Sequence, residues 1–179
     1  MYIYIIIVGL LLIIASIFNK LVRAKNHVEE AKADINIQLK RRFDLIPNLI
    51  ETVKGYMNHE KEVLEKITEL RSQALSTSDF NESDKINKEI SKNIGNILVS
   101  FENYPELKAN QNFLALQTEL VDTENKIQSA RRFYNNVTKD YNILIESIPT
   151  NFFAKMFNHQ RKPLLDITEE EAKNVTVKF

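Results

Sequence analysis

The chain has 179 residues, 24 cations against 24 anions, 44% apolar and 27% charged positions, which excludes both a disordered tail and a polytopic membrane protein. Three glycines and four prolines are too few turn formers for a β-sandwich or a doubly wound α/β fold, and the absence of cysteine and tryptophan removes disulfide frameworks, thiol catalysis and thiolate metal sites. A helical protein remains, in which any basic character is local.

Tyr2 to Phe18 carry no charge and consist almost wholly of Ile, Leu, Val and Tyr. A helix over this run rises about 25 Å, the short end of what a bilayer core of about 30 Å requires. Leu21 and Val22 extend it if Lys20 snorkels to the headgroups, and Tyr2 and Tyr4 suit an interface. A cleaved signal peptide would want a basic start and small residues before the cut, and Ile17-Phe18-Asn19 offers neither. Residues 1–19 are therefore expected to be an uncleaved transmembrane anchor in contact with the bilayer through residues 2–18. Lys20, Arg23, Lys25 and Lys32 follow with no Lys or Arg before the run, so the positive-inside rule puts the N-terminus outside and the remainder in the cytoplasm.

Apolar residues then recur at intervals of three and four: Leu21, Ala24, Val28, Ala31, Ile35 and Leu39 form a narrow seam of coiled-coil type. Lys40-Arg41-Arg42 fit the last turn of that helix, Asp44 fits an N-cap and Pro47 a first turn, so the reading places a sharp reversal over Arg42 to Asn48. A second helix carries Leu49, Val53, Leu64, Ile67, Leu70 and Ala74 and ends near Ser76 to Asp79. A third carries Ile86, Ile90, Ile94, Ile97 and Phe101, stopping before Tyr104-Pro105. The fourth and longest runs from Phe113 through Leu120, Thr123, Ile127, Tyr134 and Tyr141 towards Pro149. The expected fold is all-α: a transmembrane helix over 1–19, an antiparallel up-down four-helix bundle over 20–150, and a tail over 151–179 with an apolar cluster, Phe152 to Phe157, and about twenty loosely held final residues. Helix one beyond the anchor, at roughly 33 Å, falls short of helix four at roughly 55 Å, which demands a bend near Asn19, a leaning bundle, or a break at Asn135-Asn136-Val137-Thr138.

Alternating helix direction brings the first and third turns to one end of the bundle, away from the membrane. Arg41, Arg42, Asp44, Asn48, Tyr104 and Lys108 gather there as candidate partner-binding residues for a protein or an acidic group, although caps and salt bridges would use the same chemistry. The block from Thr123 to Asn135 puts Glu124, Gln128 and Arg132 on successive turns, and Thr123 at a core position where a polar group fixes register. No Glu-x-x-His pair, two-histidine ligand spacing, phosphate-cradling glycine loop or nucleophile elbow occurs; His27, His59 and His159 are scattered. No catalytic residue, cofactor, metal or nucleic-acid groove is expected.

The blocks Val28-Glu29-Glu30-Ala31, Gln38 to Leu49, Val53-Lys54-Gly55-Tyr56, Tyr104 to Asn110, and Thr123 to Asn135 together resemble the bacterial LemA family over nearly the whole chain. The resemblance implies a single-pass membrane protein with a helical bundle and brings no catalytic residues. The reading is of a membrane-anchored interaction or scaffold module with an unidentified protein partner, membrane proteins among the candidates. A membrane-shaping or envelope-stress accessory whose Phe152 to Phe157 touch lipid is the nearest alternative, and an unrecognised hydrolase the most distant.

Overall fold

The computed structural model describes residues 1–56 and 60–166. Among these residues the chain is all-α with no strand: α1 (Tyr2–Val53), α2 (Lys61–Ser76), α3 (Phe80–Ser100), a 3-10 turn (Phe101–Asn103), α4 (Pro105–Lys108), α5 (Gln111–Glu146) and α6 (Thr150–Met156). Two compact units form, one from Met1–Ile35 with Ser129–Leu164, the other from Asn36–Gln128 with the chain from Leu165.

The first correction concerns the expected reversal at Arg42 to Asn48. Helix α1 runs through it without interruption, with Pro47 in its interior. Proline has no N–H, so the carbonyl four residues earlier, that of Phe43, lacks its helical donor. Arg71 of α2 supplies one, its Nε donating to the Phe43 carbonyl at 2.8 Å. The apolar seam shows the same continuity: Ile35, Leu39, Arg42, Ile46, Leu49 and Val53 are all buried, at spacings of four, three, four, three and four. Asp44 is therefore no N-cap, and Lys40-Arg41-Arg42 no last turn. The reversal falls after Val53 and before Lys61, within which Met57, Asn58 and His59 lie outside the described residues. The length mismatch between the first and fourth helices dissolves with it. From Asn19 to Val53 α1 rises about 50 Å, and α5 over its 36 residues about 54 Å, neither with a break.

In the second unit, four helical segments surround a core of Phe43, Ile46, Leu49, Ile67, Leu70, Ile90, Ile97, Phe113 and Leu120. Helix α3 starts on Asp79, whose carboxylate accepts the Glu82 N–H at 2.7 Å, and α5 starts on Asn110, whose Oδ1 accepts the N–H groups of Asn112 and Phe113. Between α3 and α5 the chain turns on Phe101 and Leu107, both buried, with the Phe101 and Phe113 rings 5.2 Å apart.

In the first unit, the uncharged start of α1 is almost wholly uncovered by protein, and packing begins at Leu21, Val28, Ala31 and Ile35. Helix α6 ends in a Schellman motif. Asn158 takes φ 55°, a left-handed conformation asparagine tolerates, while its N–H bonds the Lys155 carbonyl and the His159 N–H bonds the Ala154 carbonyl. The turn sends the chain back along α5, where it is fastened: Tyr134 donates to the Pro163 carbonyl at 3.0 Å, and the Asn142 amide donates to the Lys162 carbonyl and accepts its N–H. The tail up to Leu164 is thus built into this unit, against the expectation of loosely held final residues; that expectation for 167–179 lies outside the described residues.

Candidate functional site

The six candidate contact residues do not form one tip. Arg42 is 1% exposed, the largest fully buried side chain among the described residues. This corrects its assignment as a contact residue: once α1 continues past Pro47, position 42 falls on the seam and the guanidinium points inward. There it spans three helices. Its Nη1 donates to Glu124 Oε2 of α5 at 2.9 Å and to Ser91 Oγ of α3 at 2.6 Å, and its Nη2 donates to the side-chain and main-chain oxygens of Asn87 at 2.6 and 3.0 Å. Ser91 completes the knot by donating to the Glu124 carboxylate at 2.8 Å, and Asn87 is steadied by its amide donating to the Ser83 carbonyl. A buried cation is tolerated because it is ion-paired to Glu124 and both of its Nη atoms donate hydrogen bonds.

Arg41, next along α1, is partly covered and ion-paired to Glu119 and, at 3.2 Å, to Asp122 of α5. The Glu119 hydrogen bond raises its pKa further, while Lys126 first and Arg41 second hold the Asp122 carboxyl below its usual range. Asp44 and Asn48 sit one turn apart on the exposed side of α1. Tyr104 and Lys108 lie in the connection between α3 and α5. The Tyr104 hydroxyl donates to Glu60 at 2.6 Å, a bond that pushes its pKa up, and Lys108 pairs with Glu102. The Tyr104–Glu60 bond joins the first and third turns, so the expected neighbourhood of these turns exists, made by residues other than those of 42–48.

Thr123 is fully buried, as its core position implied, but its hydroxyl donates to the Glu119 carbonyl of its own helix at 2.7 Å. The polar ladder on α5 is present in its Gln128-to-Glu124 rung at 3.4 Å. Reading the sequence alone missed Asn87, Ser91, Arg71 and Glu60. The available signal was the pair of polar residues, Asn87 and Ser91, beside the isoleucine stripe of α3, facing a cation on the seam of α1.

In the first unit Glu29 and Lys162 pair at 2.8 Å, which lowers the pKa of the acid and raises that of the base. His159 Nδ1 lies 3.1 Å from the Tyr141 hydroxyl; desolvation and then Lys25 hold its pKa below the usual histidine value.

Residues 31–179 match the family model described as LemA family. The chain is also 30% identical over 159 residues to Protein LemA of Metamycoplasma hominis, covering 88% of this chain and 72% of that protein. With a family match over most of its length, an all-helical fold and a leading helix long and apolar enough to cross a membrane, the chain belongs to the LemA family.

Proposed function

We propose that the protein is a single-pass, membrane-anchored interaction module, held with its N-terminus outside and its helical domain in the cytoplasm, and that its work is contact with another protein, not catalysis. The observation that carries the reading is the uncharged run 2–18, uncovered by protein yet continuous with the packed seam in one helix. Burying such a surface in lipid removes a large apolar area from water, and Lys20, Arg23 and Lys25 supply the basic flank.

The contact surface proposed is the exposed Asp44–Asn48 strip together with the turn end carrying Tyr104 and Lys108; Arg42, being interior, is no part of it. Alkaline extraction of membranes from cells making the full chain, with protease digestion of a C-terminal tag in spheroplasts, tests anchor and orientation. The expected result is a full-length, membrane-retained chain whose tag resists external protease. A soluble polypeptide lacking its first twenty or so residues would overturn the anchor. In-cell crosslinking from position 48 then tests the surface: a specific adduct lost in Asp44→Ala/Lys108→Ala supports it, and an unchanged adduct pattern removes it.

A further inference from the structure

Helix α6 leaves an apolar edge uncovered. Ile148 is 87% exposed, Phe152 68% and Met156 58%; Phe152 and Met156 stand one turn apart on the same face. This edge has a definite position along α1. The ring of Phe157, at the end of α6, packs edge-on against that of Phe18, centroids 4.9 Å apart. Phe18 is the last residue of the uncharged run, so α6 sits beside the point where α1 ceases to be apolar. The charges there suit one kind of surface. Lys20 and Arg23, with Ile148 and Pro149, line an open cleft in this unit, and neither cation has an ionic or hydrogen-bonding partner among the described residues. Asp140 and the exposed His27 line the cleft as well, and Lys155 follows in the last turn of α6.

We infer that α6 is an interfacial helix: its Phe152–Met156 edge, with the exposed Ile148 just before the helix, enters the headgroup–acyl boundary of the bilayer that α1 crosses, while Lys20, Arg23 and Lys155 meet the phosphates of anionic phospholipids. An amphipathic helix of this kind lies about 5–10 Å into that boundary, with aromatic residues on the lipid side and lysines snorkelling to the headgroups. The exposed apolar edge thereby has a cover chemically continuous with the one the first seventeen apolar residues need. The inference rests on the anchor reading, and the test separates the two.

The chain has no tryptophan, so a single introduced one reports its own surroundings. The full chain carrying Phe152→Trp, and separately Leu11→Trp, is reconstituted into unilamellar vesicles of phosphatidylcholine and phosphatidylglycerol with bromine placed either high or low on the acyl chains. The expected result is that Phe152→Trp loses most fluorescence to the high bromines, and Leu11→Trp to the low ones. Quenching at Leu11 with none at Phe152 overturns the interfacial helix and leaves the anchor standing. No quenching at either site overturns both. A blue-shifted but unquenched Phe152→Trp means that protein, a second copy included, covers the edge, and overturns the inference as well. In the Lys20→Gln/Arg23→Gln variant, the extra quenching at Phe152 that phosphatidylglycerol gives over phosphatidylcholine should be lost, and millimolar inorganic phosphate should not compete for it; an unchanged lipid dependence removes the role given to these cations.

Discussion

The bond from Arg71 to the carbonyl orphaned by Pro47 can be isolated by a double-mutant cycle. In Arg71→Met the Phe43 carbonyl loses the donor that stands in for its helical partner. A hydrogen bond with a charged donor contributes about 1.5–3 kcal/mol, and an unsatisfied buried acceptor costs about 1–3 kcal/mol. With Phe43 buried and Arg71 half-buried, about 2 kcal/mol is expected. Pro47→Ala restores a main-chain N–H four residues after Phe43, and relieves the ring clash, so this change alone should stabilise. In the Pro47→Ala background, Arg71→Met should then cost under about 1 kcal/mol, a coupling of at least about 1 kcal/mol between residues on different helices. Urea unfolding of the four variants in one detergent, followed by helical circular dichroism, measures the cycle; for a chain of this size, each kcal/mol moves the thermal midpoint by about 2–4 °C. Effects that add to within about 0.5 kcal/mol would refute the claim that Arg71 completes α1 at Pro47.

Arg42→Met should destabilise by about 3–5 kcal/mol in the same assay, because it strands Glu124 and Asn87 around an apolar side chain; Arg42→Met/Glu124→Gln should recover part of that, and Arg42→Lys, lacking the planar fork, should not restore the wild-type value. For His159 the folded pKa is depressed, so its contribution is present above the unfolded value near 6.5 and is lost as pH falls through the folded value. Protection factors of the amides of residues 159–162, which remove the intrinsic pH dependence of exchange, should therefore fall below about pH 6.5, and His159→Gln should flatten that dependence. Asn158→Val should loosen the same segment, raising proteolysis at Arg161, because a β-branched residue resists positive φ, whereas Asn158→Gly should not.

Helix type, the leading apolar run, the α3 and α5 spans and the end of α2 could be read from apolar spacing, because the stripes of α2, α3 and α5 face packed neighbours and tertiary contact reinforces the local pattern; Leu49 and Val53, read as the start of the second helix, belong to α1. The reversal misplaced at Arg42 to Asn48 shows where such reading fails. Pro47, Asp44 and three cations each have a local reason to end a helix, and all were outweighed by a donor 24 residues further on whose reach no local rule contains. The unbroken heptad through Leu39, Arg42, Ile46 and Leu49 was the competing signal, obscured because its central member is an arginine. The contact residues went astray for the same reason: moving the turn by about ten residues converts an exposed tip cation into an interior one. Tyr104 and Lys108 stayed in a connection because Pro105 does sit at a helix start.

The buried guanidinium bears on how the helices of the second unit choose a single alignment. Leucines and isoleucines recurring every seven residues are nearly degenerate: sliding α1 by one repeat, about 10 Å, would trade one aliphatic contact for another at little loss. The same slide would carry a fixed positive charge away from Glu124, Ser91 and Asn87, the three residues that hold it. One ion thus separates the native alignment from its near-copies, much as a key stops a shaft from turning in its collar.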